Sequence, residues 1–506
     1  MSIKKYMSIK KYILFLLFLI CLICLGLIVY IFKEEYIYIY LPKNTYSFHE
    51  NYKYTRGIRE IIPVNIGWNK YGKIKIEDNI NIIHCSNIND IIDTVNTYNN
   101  INIRGGGHDY NNSSLLGNTI YLTLNFSLNN NNFIMNKKDE TIECVANANF
   151  GQLYDFLINN GNYIIPGGTC PNVGISGFTL GGGQSILLPH YGPLCNYLKC
   201  ISYVNSNGKY IKNDKNIEII RGGGHIKPYI ITSFTYDLKL LKPKLWYYGF
   251  LQVKFINNNF TSIDNLFKYI QSLKNEKILG PFNITTSIIN NNRKIDNISI
   301  QLIDDSSISN IKKVIDDIQN INNIKLFYEL IENKSIYEIY KYPINIDNYI
   351  VSIDTLYDGL KLNKSGYSSE YIYNSFYISD IYNGIKITQD IIDSFPDWMG
   401  FDHYVYNKYI YDNTYKSIFP IEKEYNGWIL QSISNDNTSD LIYNTNNVPN
   451  CFTKKNNYKY INYPPTSDNN SKNIHLDIFF NKDTVKKIKK YKNKHDSNSK
   501  FVTIYN

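Results

Sequence analysis

Three glycine-rich clusters are the residues whose spacing most clearly indicates chemistry. The first cluster is Arg104-Gly105-Gly106-Gly107-His108, the second covers residues 166–183, and the third is Arg221-Gly222-Gly223-Gly224-His225. Successive glycines let backbone N–H groups converge on an anion, because no Cβ stands in the way. No cluster ends in the Gly-Lys-Ser/Thr of a Walker A loop, and none gives a Rossmann Gly-x-Gly-x-x-Gly between strand and helix. The pattern favours a pyrophosphate-containing cofactor held by main chain.

Two other interpretations of the clusters stay open at this point. Tight turns would explain the third cluster by itself, whereas the length of the first two, with His108 and Cys170 inside them, favours a ligand site. The second alternative is a hydrolytic metal site built from His108 and His225. Neither histidine has a second ligand four residues later, although Asp109 adjoins the first, so we expect no bound metal.

Short strands and helices must position these clusters. Apolar runs predict strands at 81–86, 101–104, 119–124, 141–146 and 229–240. The strand at 101–104 leads directly into the first cluster. Helical spacing predicts helices at 89–98, with a cap at Asn87 or Asn89, and at 150–159, 311–321 and 482–492. Asn207-Gly208 predicts a hairpin. Strands and helices alternate between residues 242 and 450.

The clusters, in this order, resemble the FAD-linked oxidoreductases of the berberine-bridge-enzyme type. The motifs that carry the resemblance are Arg-Gly-Gly-Gly-His-x-Tyr from Arg104, Pro-Gly-Gly-x-Cys-Pro-x-Val-Gly-x-x-Gly-x-x-x-Gly-Gly-Gly from Pro166, Tyr191-Gly192, and Arg-Gly-Gly-Gly from Arg221. The resemblance covers about 60–240 and returns near 455–505. It implies a flavin domain of the vanillyl-alcohol-oxidase or PCMH kind.

The fold class that follows is α+β. We expect a PCMH-type FAD-binding domain, a second α/β substrate domain with an antiparallel sheet flanked by helices, and an N-terminal transmembrane helix. The expected segments are a basic tail at 1–12, a membrane span at 13–32, the FAD domain at 60–241, the substrate domain at 242–452, and a segment at 453–506 that returns to the FAD domain.

The resemblance also implies covalently bound FAD. His108 stands where the family bonds an imidazole to the flavin 8α carbon, and Cys170 stands where a subset adds a thioether at flavin C6. Val173 falls where the family controls oxygen access, and its small side chain favours an oxidase over a dehydrogenase. The positions assigned to cofactor binding are Arg104, Gly105, Gly106, Gly107, His108, Cys170, Val173, Gly174, Gly177, Gly181, Gly182, Gly183 and Ile230.

The catalytic positions implied by the resemblance are Tyr463, Tyr110 and Gln431. Tyr463 ends a Tyr-x-Asn-Tyr segment, whose second tyrosine is the usual candidate for the base that takes the substrate proton. The expected activity is oxidation of an alcohol or sugar-like hydroxyl, with O₂ reduced to H₂O₂. The alternative is a flavin-binding protein without turnover, because Asn196 replaces an aspartate of the family and residues 225–230 replace its Asn-Phe-Gly-Ile pattern.

Residues 13–32 are apolar and carry no charge. These 20 residues have the length of a membrane-spanning helix. Four lysines precede this segment and one follows it, so we expect a cytoplasmic amino terminus and a catalytic region beyond the membrane. The alternative is a long signal peptide and a secreted protein.

The formal net charge of +9 is spread along the chain, and we expect no nucleic-acid partner. Small-molecule substrate and O₂ are the expected partners.

Overall fold

The structure of the chain is a computed structural model. It describes residues 59–63, 67–69, 79–109, 111–114, 116, 120–124, 128, 131–169, 173–256, 260–275, 283–291, 294–341, 343–346, 349–352, 367–369, 371–378, 398–404, 415–418, 426–433 and 473–506. Residues 55–506 form one compact unit by their internal contacts.

The strands lie within three larger sheets and two short pairs. Their bounds are β1 Arg59–Pro63, β2 Gly67–Asn69, β3 Asn79–Cys85, β4 Ile101–Arg104, β5 Ile120–Leu124, β6 Phe133–Asn136, β7 Thr141–Val145, β8 Leu198–Val204, β9 Tyr210–Asp214, β10 Ile230–Asp237, β11 Trp246–Phe255, β12 Asn283–Asn291, β13 Lys294–Asp304, β14 Ile324–Lys334, β15 Pro343–Ile346, β16 Tyr349–Ser352, β17 Tyr367–Ser369, β18 Tyr371–Ile378, β19 Trp398–Tyr404 and β20 Asn426–Ile433.

The helices connect these strands and cover the sheets. Their bounds are α1 Ile88–Thr97, α2 Phe150–Asn159, α3 Ile175–Leu180, α4 Leu188–Tyr191, α5 Ile220–Gly223, α6 Phe260–Asn275, α7 Ile308–Gln319, α8 Ile336–Lys341 and α9 Lys482–His495. Turns of 3-10 helix lie at Leu194–Tyr197, Gly224–Ile226 and Leu476–Ile478.

The first sheet places the first glycine cluster at the end of a strand. Its order is β1-β3-β5-β4, with β3, β4 and β5 parallel and β1 antiparallel to β3. Helix α1 connects β3 to β4. It begins at Ile88 because the Asn87 side chain accepts the backbone N–H of Asp90 at 3.0 Å, and it buries Ile91 and Val95 completely. The predicted helix and its cap are confirmed.

The second sheet is antiparallel throughout, in the order β6-β7-β10-β8-β9. The hairpin at residues 207–208 connects β8 to β9, as predicted. Helix α2 follows β7 and starts at a capping box. The Asn149 side chain accepts the N–H of Gln152, and the Gln152 side chain accepts the N–H of Asn149. This box fixes where the helix begins, close to the second glycine cluster.

The third sheet lies within residues 242–452, where the sequence predicts an antiparallel sheet flanked by helices. Its order is β14-β11-β13-β12-β19-β20-β18, and every pairing described in it is antiparallel. Helix α7 packs on this sheet so closely that a Cβ on Gly249 would lie 2.8 Å from Ile311 Cγ2. Helix α6 is joined to α7 by a hydrogen bond from Tyr269 to Asp317, 2.7 Å long.

The carboxy-terminal segment contacts the first sheet and the loop that precedes β10. Phe501 forms a parallel bridge to Ile101 at the start of β4. The ammonium of Lys492, on α9, lies 2.7 Å from the buried carboxylate of Asp496 and also donates to the carbonyl of Lys227 at 2.8 Å. Residues 473–506 therefore contact the strands and loops that carry the first and third clusters.

Several expectations need correction or fall outside the described residues. Strands β1 and β2 are not among the predicted strands, and they pair with β3 and with the distant β17, respectively. No helix among the described residues is long and apolar enough to cross a membrane, and the predicted span at 13–32 is not among them. The α+β class is supported by these sheets and helices, while the predicted domain boundaries stay predictions.

The positive charge is also less evenly spread than the sequence suggested. Helix α9 carries six exposed lysines, which share one face of the helix because of the 3.6-residue period. These are Lys482, Lys486, Lys487, Lys489, Lys490 and Lys494.

Candidate functional site

The first glycine cluster leaves β4 at Arg104, whose side chain is buried and donates to the Ser114 hydroxyl at 3.0 Å. Gly107 has φ +75°, and a Cβ there would lie 2.4 Å from Arg104 Nη2. Position 107 therefore favours glycine, because L side chains rarely adopt this φ and a Cβ would displace the guanidinium of Arg104.

The turn that follows His108 is held by side chains that the sequence did not assign to the site. The Asp109 carboxylate accepts the N–H groups of Asn111 and Ser113, an arrangement typical of aspartate in turns. Asn102, on β4, donates to the Ser113 carbonyl at 3.1 Å and accepts from Lys227 Nζ at 2.6 Å. Burial lowers the pKa of Lys227 to about 8, and the nearby Asp109 carboxylate opposes that shift.

The second glycine cluster is attached by backbone hydrogen bonds to the residues just before helix α2. The N–H of Phe150 donates to the carbonyl of Val173 at 3.1 Å, and the N–H of Ile175 donates to the carbonyl of Ala148 at 3.0 Å. The capping box of α2 thus also fixes the position of residues 173–175. Helix α3 starts there and carries the second half of the cluster.

The two clusters meet with almost no space between their main chains. A Cβ on Gly174 would lie 2.6 Å from the backbone nitrogen of Gly106 and 2.9 Å from its Cα. A Cβ on Gly105 would lie 2.6 Å from the hydroxyl of Ser176. Such distances are shorter than carbon atoms tolerate, so only glycine permits this contact.

The contact leaves one side of α3 open beside the first cluster. Among the described residues, a Cβ built on Gly177 meets no atom within 4 Å, whereas Gly105 and Gly174 are closely surrounded. Backbone N–H groups free of Cβ atoms, next to open space and a buried arginine, suit the diphosphate of a dinucleotide. The described residues therefore fit a cofactor such as FAD.

The third cluster is part of the packing, in agreement with the tight-turn interpretation. A Cβ on Gly224 would lie 2.4 Å from Leu180 Cδ2, at the end of α3. The Arg221 guanidinium donates to the carbonyl of Leu198 at 2.8 Å and lies over the ring of Tyr415. His225 stacks on Tyr505, with ring centroids 5.5 Å apart. No group of three or more metal-ligating side chains occurs among the described residues.

The electrostatic environment keeps the imidazole of His108 neutral. Burial, with a smaller effect from the charge of Arg104, lowers the pKa of His108 from 6.5 to about 3. A neutral imidazole retains a nitrogen lone pair, which bond formation to a carbon atom requires. Its charge state is therefore suited to the covalent link that the resemblance implies.

The depressed pKa predicts that His108 destabilises the flavin-free protein in acid. An unfolded histidine binds a proton below about pH 6.5, whereas folded His108 binds one only near pH 3. This contribution is absent at pH 7 and grows by about 1 kcal/mol per pH unit as the pH falls below 6. Denaturant unfolding at pH 7 and pH 5 should show a smaller loss for His108→Gln than for the wild type. An equal loss in both proteins would contradict the assignment, and His225→Gln is the control.

Of the remaining predicted residues, the structure describes some and leaves three outside the described ranges. Gln431 lies on β20, opposite Tyr373 of β18 and Gly400 of β19. Ile230 begins β10 and is fully buried, and Val173 is partly buried against the core. Gly182 and Gly183 have φ +111° and +84°, and Gly181 ends α3. Tyr110, Cys170 and Tyr463 lie outside the described residues.

The residues that depart from the family pattern, Asn196 and those at 225–230, pack against other parts of the structure. Asn196 is buried, and its carbonyl accepts the N–H of Tyr415 at 2.9 Å. Tyr229 stacks on Tyr203, with centroids 3.9 Å apart, and its hydroxyl lies 2.9 Å from that of Tyr491 on α9. The bulky residues at 225–230 therefore contact the carboxy-terminal helix.

Comparison with known proteins identifies the region that carries the site. Residues 81–214 match the family model of an FAD binding domain. Berberine bridge enzyme-like 16 of Arabidopsis thaliana is 33% identical over 130 residues, which are 24% of this chain and 24% of that protein. Tetrahydroberberine oxidase of Berberis wilsoniae is 27% identical over 147 residues, 28% of this chain and 27% of that protein. The chain thus spans about a quarter of the length of the curated relatives it matches.

Solved structures extend the likeness of fold over most of the chain. A BBE-like 1 protein of Physcomitrella patens has a TM-score of 0.67 at 18% identity, covering 88% of this chain and 96% of that one. Glucooligosaccharide oxidase of Acremonium strictum, described with a 6-S-cysteinyl, 8α-N1-histidyl FAD, has a TM-score of 0.62 at 15% identity, covering 84% and 90%. At these identities the likeness shows the fold. The chain thus carries an FAD binding domain, and its resemblance to the FAD-linked oxidoreductases of the berberine-bridge-enzyme-like type is confirmed.

Proposed function

We propose that the protein is an FAD-dependent oxidoreductase, an oxidase that acts on an alcohol or sugar-like hydroxyl. The observation that carries the proposal is the contact between the first two glycine clusters, where Gly174 meets Gly106 beside the buried, neutral His108. A backbone cradle and a neutral imidazole at one place serve a covalently held dinucleotide better than any other ligand considered above.

In this proposal the first two clusters hold the diphosphate, and His108 and Cys170 form the two covalent links. Bound FAD would accept a hydride from the substrate carbon and pass the electrons to O₂, giving H₂O₂. Val173 would leave room for O₂, because its side chain is small. An attached imidazole withdraws electrons from the flavin and so favours hydride acceptance.

The proton of the substrate hydroxyl needs a base, and we assign this role to Tyr463. A free tyrosine has a pKa near 10, so a neighbouring donor or cation must stabilise its phenolate. Tyr110 and Gln431 would line the substrate pocket, from the first cluster and from β20. A hydroxyl of a sugar is consistent with the names of two structural neighbours, the glucooligosaccharide oxidase and a glucose dehydrogenase variant of Phl p 4.

The second candidate function is flavin binding without turnover. It is favoured by Lys227 and Tyr229, which lie in the stretch that replaces the family's Asn-Phe-Gly-Ile pattern. Lys227 donates a hydrogen bond to Asn102, and Tyr229 contacts Tyr203 and Tyr491. Reduction of the bound flavin by candidate sugars or alcohols, with release of peroxide, separates the two functions. A yellow protein that no substrate bleaches would support the second.

For location, we propose a single-pass membrane protein with a cytoplasmic amino terminus and the catalytic region beyond the membrane. The support is the charge-free segment at 13–32 and the lysines that precede it. The alternative is secretion after cleavage of that segment. The mass of the mature protein distinguishes the membrane-anchored form from the secreted form, because cleavage would remove this segment.

Tyr463→Phe is expected to slow flavin reduction by the substrate about a hundredfold or more, because general-base catalysis contributes roughly 10²–10⁴-fold. The flavin spectrum should not change, since the variant removes one hydroxyl and no cofactor link. Stopped-flow measurement of flavin absorbance gives the rate. Tyr460→Phe, three residues earlier in the same segment, is the matched control. Wild-type reduction kinetics in Tyr463→Phe would remove this residue as the base.

A further inference from the structure

A tyrosine of the substrate region reaches into the FAD region and bonds to its main chain. Tyr337 lies on α8, which packs on β14 of the third sheet, and it is 1% exposed. Its hydroxyl donates to the carbonyl of Tyr163 at 2.5 Å and accepts the N–H of Ile165 at 3.0 Å. One side chain therefore satisfies two backbone groups on the segment that leads into the second glycine cluster.

A second tyrosine holds the other end of the same segment. The Tyr154 hydroxyl, on α2, donates to the carbonyl of Gly168 at 2.6 Å. A Cβ on Gly167 would lie 2.5 Å from that hydroxyl, so the segment passes directly against it. The rings of Tyr154 and Tyr337 stack with centroids 4.6 Å apart. The two tyrosines thus form one buried unit that fixes residues 163–168.

We propose that Tyr337 positions the loop that carries Cys170, with Tyr154 as its partner. The inference rests on the proposed function, in which Cys170 forms a thioether to the flavin. Cys170 follows the fixed segment by two residues, and two residues span at most about 7 Å. The main-chain position of residues 163–168 therefore limits where the sulfur can lie.

Position matters for this link because the sulfur must approach one flavin carbon within bonding geometry. Thioether formation breaks the S–H bond of Cys170 and the C–H bond at flavin C6, and O₂ takes up the two hydrogens as H₂O₂. Tyr337 touches neither reacting atom. It is a positioning residue, and through it the substrate region influences how the flavin is attached.

The chain offers a matched control on the same helix. Tyr340 is also buried, at 2% exposed, and its ring lies 5.8 Å from that of Tyr154. Its hydroxyl makes no hydrogen bond in the described structure. Tyr337→Phe and Tyr340→Phe therefore remove the same atom from similar surroundings, but only the first removes hydrogen bonds to the segment.

The experiment compares the full-length wild type with these two variants, made in a flavin-replete host. Peptide mass spectrometry measures the flavin on the Cys170 peptide relative to that on the His108 peptide. We expect Tyr337→Phe to reduce this ratio about tenfold or more, because it removes both buried hydrogen bonds to the segment, and Tyr340→Phe to leave it unchanged. An unchanged ratio in Tyr337→Phe would overturn the proposal, as would an equal loss of both links, which indicates a general structural defect.

A second readout separates this inference from the proposed function. Hydrogen exchange of residues 163–169 should be faster in Tyr337→Phe than in Tyr340→Phe, whether or not flavin is attached. If the wild type carries no flavin on Cys170, the attachment in the proposed function is wrong, and unchanged exchange in Tyr337→Phe then also overturns the positioning role. Tyr154→Phe is the second variant should Tyr337→Phe fail to fold, and it should lower the same ratio.

Discussion

The double variant His108→Ala/Cys170→Ala is expected to release all of its flavin when the protein is precipitated with acid, whereas the wild type stays yellow. The physical reason is that the backbone cradle binds FAD without covalent bonds, and acid unfolds the cradle. Only the imidazole of His108 and the sulfur of Cys170 would keep the flavin on an unfolded chain. The measurement is the flavin absorbance of the pellet and of the supernatant.

The single variants show how much flavin each of the two covalent links retains. His108→Ala should retain flavin through Cys170, with a lower reduction potential, because the electron-withdrawing imidazole is gone. His225→Ala is the matched control, since it changes the same Gly-Gly-Gly-His sequence in the third cluster. Its ring stacks on Tyr505 and has no expected part in the link. Release of flavin from His225→Ala, or its retention in the double variant, would contradict the assignment.

Gly174→Val is expected to prevent FAD binding and to lower the free energy of unfolding by about 3 kcal/mol. Even the Cβ of the new side chain would lie 2.6 Å from the nitrogen of Gly106. The atom it meets is backbone and not a flexible side chain, so the two clusters must move apart. Overpacking of this kind costs roughly 1–3 kcal/mol and occasionally more. Denaturant unfolding and flavin content give the two quantities.

Gly177→Ala is the control for this substitution, because the new Cβ meets no atom within 4 Å in the part of the chain that the structure describes. We expect the unfolding free energy of the flavin-free protein to stay constant or to rise by up to about 1 kcal/mol, since alanine is the better helix former. Its flavin content then reports how closely the cofactor approaches α3. Wild-type FAD binding in Gly174→Val would show that the contact between the clusters is not required.

Local signals in the sequence predicted the elements that position the site. The Asn87 cap, the apolar spacing of α1 and the amphipathic pattern of α2 each involve residues that are close in sequence. They can therefore be recognised without knowing the tertiary structure. Strands β1 and β2 were missed for the opposite reason. Their pairings with β3 and with β17, at Tyr367–Ser369, are non-local, and a short segment by itself gives no sign of its partner strand.

The residues around the site were predictable to different degrees. His108 and the glycines stand in long motifs, so the resemblance identified them. Tyr337 is one of 47 tyrosines, and its bonds connect positions more than 170 residues apart, so no pattern distinguishes it. Asp109 carries a weak signal, an aspartate before Asn-rich turn residues. The role of Lys227 depends on Asn102, 125 positions away.

The mass of the purified full-length protein, followed by mapping of its flavin-bearing peptides, tests the central claim most directly. We expect a chain heavier than its sequence by one FAD, with flavin on the peptide that contains His108 and on the one that contains Cys170. A colourless protein from a flavin-replete host, with the mass of the bare chain and both peptides unmodified, would contradict it.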